Sequence, residues 1–201
     1  MSDLSILAGI IGSDGHLSKD RSTICVINKD EIFLRQIVVP LLKKYANKEG
    51  SFRFIDSGFG SKKFLLRACS AELMRNLNRN YNIPIGKKST TIKPPNLTRE
   101  EGLDFFRGWV AGDGSVTTEK GKPKIELWSK SEQMINWFKQ VLDEHEIESR
   151  IYIERNKNEF ILRVSKKQAV KNFYSLIEIP HPKKQEKLNK LCSSSSRIRT
   201  A

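Results

Sequence analysis

The chain has 201 residues, of which 38% are hydrophobic, enough for one or two compact domains and too apolar for a disordered protein. Thirty-six Lys and Arg against 23 Asp and Glu leave a net charge of +13, which favours polyanionic partners through counterion release and long-range attraction. Three scattered cysteines (Cys25, Cys69, Cys192) without CxxC spacing exclude a disulfide framework or zinc site, and no apolar run is long enough to span a bilayer.

With no basic n-region at the N-terminus, neither export nor a membrane partner is expected. The expected location is intracellular, the cytoplasm of a prokaryote or an organelle matrix.

In chain order, the first predicted element is an apolar helix over 4–13 that stops at Asp14-Gly15. A hairpin follows, in whose second strand Ile24 and Val26 alternate with Thr23, Cys25 and Ile27. Residues 30–47 carry Ile32, Phe33, Ile37 and Leu41 at helical spacing. A second hairpin over 51–69 and a third helix over 70–81 complete a unit. Residues 82–98 contain three prolines and no periodicity, so they join two parts of the chain. Thr98 with Glu101 predicts a capping box for a helix over 99–112 that stops at Asp113-Gly114. A hairpin then has Ile125 and Leu127 alternating with Lys124, Glu126 and Trp128. An amphipathic helix over 131–146, a hairpin over 149–165 and a helix over 166–178 follow. The end, with Ser193–Ser196, Arg197 and Arg199, reads as a flexible basic tail.

The order is therefore αββαββα, twice. The residues themselves repeat: LAGIIGSDG at 7–15 aligns with FRGWVAGDG at 106–114, FLLR at 64–67 with FILR at 160–163, and IPIGKK at 83–88 with IPHPKK at 179–184. The expected class is α+β, two pseudo-symmetric units each with a four-stranded antiparallel sheet. The boundaries are 1–88 for the first half, 89–98 for the linker, 99–188 for the second half and 189–201 for the tail.

Gly9, Gly12 and Ser13 in the first Asp-Gly helix align with Gly108, Ala111 and Gly112 in the second. Glycine inside a helix costs roughly 1 kcal/mol against alanine, so such a run needs a packing reason, and close approach of two helices supplies one. Gly9, Gly12, Gly108 and Ala111 are the expected interface. Helices packed in this way bring Asp14 and Asp113 side by side. Two adjacent carboxylates repel unless protonated or bridged by cations, and Mg²⁺ is the hard divalent ion that suits them.

These two segments resemble the paired motifs of the LAGLIDADG homing endonucleases in their single-chain, two-motif form. Gly12-Ser13 stands in place of the signature's Asp-Ala in the first motif, and Phe106, Arg107 and Trp109 replace Leu, Ala and Leu in the second. The resemblance implies two sheets forming a saddle on double-stranded DNA and a monomeric, Mg²⁺-dependent endonuclease cutting a long asymmetric site in intron homing. Ca²⁺ would support binding without cleavage. It implies metal coordination by Asp14 and Asp113 with the adjoining Ser13 and Gly112. It also places Asn28, Lys29, Ser129 and Lys130 near the active centre, and Lys88 and Lys184 (or Lys87 and Lys183) near the scissile phosphate. The alternative is an RNA maturase that uses the same fold to bind and help splice its host intron. An intein nuclease is set aside, because splicing residues are missing at the two ends.

Strand alternation nominates the groove-facing residues. They are Arg21, Thr23, Cys25, Arg53, Lys63 and Arg67 in the first half, and Lys122, Lys124, Glu126, Trp128, Tyr152 and Arg163 in the second. Ile27, Leu65 and Ile161 share that face. Arginine suits guanine and phosphate, and glutamate can accept from cytosine. His16, His145 and His181 share no ligand spacing, and Trp109 and Trp137 lie on apolar helix faces, so none of these is assigned chemistry.

Overall fold

A computed structural model describes residues 1–46, 51–56, 62–119 and 122–194, with the backbone alone for 52–56, 62 and 194. At its centre are two helices, α1 (Asp3–Asp14) and α4 (Arg99–Asp113). Ser2 caps the first through its hydroxyl, and the Thr98–Glu101 capping box closes the second. Every residue of α1 from Ser5 to Ser13 is buried, as an all-round apolar helix must be in water.

A strand leaves each helix directly: β1 (Gly15–Leu17) pairs antiparallel with β2 (Thr23–Asn28), and β5 (Gly114–Glu119) with β6 (Lys122–Ser129). Both aspartates are still helical. The glycines after them are extended (φ −97° and −74°), so no turn opens at Asp-Gly. Gly15 is needed for space: a Cβ there would lie 2.6 Å from Ile11 Cα.

The helix over 31–46, α2, starts at the Asp30 cap and is continuous but contains a π turn at Leu34–Val38. Pro40 accounts for that turn. It has no N–H to donate and its ring would collide with the carbonyl four residues back, a conflict that widening the preceding turn relieves. Strands β3 (Ser51–Asp56) and β4 (Lys62–Cys69) and helix α3 (Ala71–Asn80) complete the first unit. In the second, α5 (Glu132–Glu144), β7 (Arg150–Glu154), β8 (Glu159–Val164) and α6 (Lys167–Leu176) follow in the same order. Both sheets are four-stranded, ordered β1-β2-β4-β3 and β5-β6-β8-β7. Ile24, Val26, Leu66, Ile125, Leu127 and Leu162 point into one contiguous core, leaving the odd-numbered residues of β2 and β8 and the even-numbered residues of β6 on the opposite faces.

The predicted flexible tail from residue 189 is corrected in part. A further helix, α7 (Pro182–Ser194), runs through that boundary, with Leu188 fully buried and Leu191 and Cys192 packed on the core. The joining segment is likewise anchored, through buried Ile83 and Ile92 and a bridge from Ile85 to Leu17. Among the described residues, no helix is long and apolar enough to cross a membrane.

Candidate functional site

The two central helices meet glycine to backbone. A Cβ on Gly9 would overlap the Phe105 carbonyl and lie 2.8 Å from the Trp109 nitrogen, and one on Gly108 would overlap the Ile6 carbonyl. Phe105 and Ile6 are themselves repeat-equivalent, so the contact is reciprocal about a pseudo-twofold axis. Gly12 admits the Trp109 ring, and Gly112 packs on Ser13, where an added Cβ would lie 3.1 Å from the Asp14 carboxyl carbon. The last turns therefore converge, and Asp14 and Asp113 share one electrostatic environment.

Burial pushes the Asp14 carboxyl up to about 6, repulsion from Asp113 adds to that, and Asn28, Lys184 and Lys88 oppose it. Asp113 is also raised, first by crowding from surrounding protein and further by Glu159, against the pull of Lys88 and Lys184. The residue as a whole is nonetheless exposed.

Two different supports hold the pair. Asn28 donates from Nδ2 to Asp14 Oδ2 at 2.5 Å, while its own Oδ1 accepts from the Asp30 N–H. Ser129 is its counterpart, accepting from the Ser131 N–H beside Asp113. Lys88 and Lys184 lie behind the pair. Lys88 Nζ donates to the carbonyls of Ile11 (2.9 Å), Gly12 (2.7 Å) and Ser13, and Lys184 Nζ to those of Val110 (3.1 Å), Ala111 (2.8 Å) and Gly112 (2.5 Å).

Each ammonium has three N–H groups and all three are committed, so the lysines cap the negative helix ends and act on the site through their charge. Lys88, expected near the scissile phosphate, lines the same cleft as Asp113, and Lys184 holds the equivalent place on the other helix end. Burial lowers both to about 8. Lys183 instead pairs with Asp30 at 2.8 Å.

Ser13 and Gly112 adjoin the aspartates, and each of their carbonyls accepts from one lysine ammonium while keeping a second lone pair. The Ser13 hydroxyl is bonded back to Gly9 and Ile10, so the donors at the helix ends are the two carboxylates and these carbonyl oxygens. That donor set fits Mg²⁺, which typically takes one or two carboxylates and completes its octahedron with water and phosphate oxygens. Among the described residues, no group of three or more His, Cys, Asp or Glu could hold a metal. A cleft of about 220 Å³ opens beside Asp113, lined by Ser129, Lys130, Trp128, Ser89 and Glu159. Lys29 is exposed at the equivalent place in the first half.

This electrostatics has a measurable consequence. Asp14 binds a proton in the folded state between its unfolded value of 3.8 and about 6, where the unfolded chain has released it, so stability falls as pH rises through that window. A cation that bridges the ionised pair relieves the cost. Millimolar Mg²⁺ is expected to raise the melting temperature near neutral pH but much less at about pH 5, and Asp14→Asn should erase most of the gain. Equal Mg²⁺ gains at both pH values, or a gain untouched by the substitution, would show that the ion binds elsewhere.

On the sheet faces, alternation placed the nominated residues on the side opposite the core, but not all are free. Thr23 is only 2% exposed, with its hydroxyl 3.4 Å from Arg67 Nη2, so it supports Arg67 and is covered from DNA. Glu126 is 5% exposed and both its oxygens are engaged by basic side chains, which corrects its expected role as a cytosine acceptor. Arg67, Lys122 and Tyr152 are exposed; Cys25, Lys63, Lys124, Trp128 and Arg163 are half-buried. Arg21 sits in the β1–β2 turn with φ 58°. The Arg53 backbone pairs with Leu65, and its side chain lies outside the described part.

Two residues were missed. Glu159 acts on Asp113, and its alternation with Ile161 and Arg163 was the available signal. His16 stands opposite Cys25 on the groove face of the first sheet. His181, assigned no chemistry, stacks on Phe33 with ring centroids 4.5 Å apart, and burial lowers it to about 4.

Residues 100–178 match the family model of a LAGLIDADG-like domain. The whole architecture is similar to mesophilic variants of the homing endonuclease I-DmoI, at 17% identity over 87% of this chain and 88% of that one, TM-score 0.64. It also resembles I-DmoI in complex with DNA and Ca, at 16% identity over 97% of each chain, TM-score 0.62. Full-length DUF199/WhiA from Thermatoga maritima superposes with a TM-score of 0.67 at 17% identity, covering all of this chain and 63% of that one. Other I-DmoI structures of the same likeness hold target DNA in the presence of Mn or Mg. No curated protein sequence matches the chain. At these identities the comparisons establish the fold: the LAGLIDADG fold is shared with homing endonucleases and with WhiA.

Proposed function

We propose that the chain is a site-specific double-stranded DNA endonuclease of intron homing, acting as an intracellular monomer and hydrolysing one phosphodiester per strand at a long asymmetric site. The observation that carries this reading is the convergence of Asp14 and Asp113 at the ends of two glycine-packed helices, between two sheets. Asn28 fixes the direction of the Asp14 carboxylate, and Lys88 and Lys184 hold the helix ends and offset part of its charge. Ser129 and Lys130, in the cleft beside Asp113, are placed to hold a phosphate oxygen or a water. A bound divalent cation, Mg²⁺ in the cell, supplies activation of the attacking water and neutralisation of charge on the leaving oxygen. The duplicated unit provides both half-site readers, each covering about one helical turn, so the site spans roughly 20 base pairs.

The test is selection of bound duplexes from a randomised DNA library in Ca²⁺, then a switch to Mg²⁺. Enriched duplexes should be cut on both strands with a stagger. Tight, selective binding with no cleavage in Mg²⁺ or Mn²⁺ would sink the enzyme reading. Preference for structured RNA over every duplex would favour the maturase alternative, which makes no use of the carboxylate pair.

Salt dependence is a second expectation. With a net charge of +13, binding should have a log–log slope corresponding to at least about six phosphate contacts. A nearly flat affinity between about 50 and 200 mM salt would assign the basic surface to another purpose.

A further inference from the structure

The two sheet faces differ at one pair of equivalent positions. In the second half, Arg163 lies opposite Glu126 in the β6–β8 register; in the first, Arg67 lies opposite Cys25 in the β2–β4 register. Both arginines close the repeated F-x-L-R segment, so only the partner has changed. Arg163 Nε donates to Glu126 Oε1 at 2.7 Å, and Nη2 lies 2.7 Å from the same oxygen. Lys124 Nζ holds the other oxygen, Oε2, at 3.3 Å. The guanidinium lies over the Tyr152 ring, 4.4 Å from its centroid. Among the described residues, the hydrogen bond of Arg67 is a weak one, 3.4 Å to the Thr23 hydroxyl, and the side chain is exposed.

We propose that Arg163 is a pre-set guanine reader and that Glu126 is the residue that positions it, an inference resting on the DNA-binding role of the saddle. A guanidinium has five N–H donors. With Nε donating to Glu126 and Nη2 in ion-pair contact with the same oxygen, the hydrogens directed away from Glu126 lie along the Nη1–Nη2 edge. That end-on fork matches the O6 and N7 acceptors of guanine in the major groove. Among the described residues, the other carboxylate beside it, Glu119 Oε2, is 4.0 Å from Nη1, too far for a hydrogen bond.

A buried carboxylate on a face meant for phosphates is costly unless it is paired, and here it is paired on both oxygens. In return the fork is held before DNA arrives, so little side-chain entropy remains to be lost on binding. A loosely held arginine such as Arg67 can swing to a phosphate instead. The second half-site therefore carries a strict guanine that the first lacks at the symmetric position.

The experiment is the randomised-duplex selection in Ca²⁺ with deep sequencing, run on the wild type, Glu126→Gln and Arg163→Lys. The wild type should enrich one guanine in one half-site by roughly tenfold or more over other bases. Glu126→Gln should flatten that column while leaving the others intact. Arg163→Lys keeps the ion pair and the charge but not the fork, and should do the same even if the first variant folds poorly. A merely structural role for Glu126 would lower affinity evenly across all columns and would overturn the proposal. So would a guanine that survives Arg163→Lys. If the wild type enriches no sequence at all, the DNA reading fails and the proposal falls with it, an outcome distinct from enrichment lacking the guanine.

Discussion

Asp14→Asn or Asp113→Asn is expected to abolish double-strand cleavage while DNA affinity stays equal or rises. The carboxylates stand at the ends of helices that main-chain contact holds together, so neither can retreat from the other. Without cations they repel each other and the phosphates of bound DNA, and the raised Asp14 value is the signature of that repulsion added to burial. Asparagine keeps the shape, and with it the helix packing, but removes the charge. Binding should therefore hold or tighten. Cutting needs the carboxylate as a cation ligand, and among the described residues the two helix-end aspartates are the carboxylates that converge on the centre. Losing one should slow cleavage of at least one strand by about a hundred- to a thousandfold, the scale seen when one preorganised electrostatic group is deleted. A supercoiled plasmid carrying the selected site resolves the outcome, since nicked and linear products separate. Were both single variants to linearise it at near wild-type rate, the aspartates would be helix ends with no chemistry.

Much of this centre could be read from the repeat. Matching residues at nearly constant offset is enough to place two helices about an axis, and the aspartates follow from the alignment. The lysines show where such reading stops. Lys87 and Lys88 are adjacent in an irregular segment, and what selects Lys88 is a set of carbonyls more than seventy residues away. Likewise, alternation assigns Thr23 and Glu126 to a face but not to solvent, because long neighbours on that face, Arg67 and Arg163, fold over them. Pro40 interrupts the hydrogen bonding of α2 without disturbing its apolar spacing, so the π turn left no mark on the pattern. The extra helix α7 was different. Leu188, Leu191 and Cys192 recur at helical spacing, and the serine run beyond them obscured a legible signal.

The largest stability effect is expected at the helix crossing, where Gly9→Ala or Gly108→Ala should each destabilise the fold by about 3 kcal/mol or more. In each case the added methyl meets a carbonyl oxygen of the facing main chain, not the tip of a side chain that could turn aside. Relief requires the helices to separate, which loosens the Trp109 packing over Gly12 and the aromatic cluster around Phe105 and Phe138. The gain in helix propensity from glycine to alanine, about 1 kcal/mol, opposes this but is smaller. Gly102 provides the internal control. It lies in the same α4 helix, yet a Cβ there would meet Trp137 and Val141 at ordinary distances of 3.6 and 3.7 Å. Gly102→Ala should therefore be neutral or stabilising by up to about 1 kcal/mol. For a chain of this size, the interface substitutions correspond to a melting temperature lower by about 6 °C or more. Separation of the helices also carries Asp14 away from Asp113, so the variants should lose cleavage even at temperatures where they remain folded. If Gly9→Ala and Gly102→Ala melt alike, the helices do not approach closely enough to bring the carboxylates together.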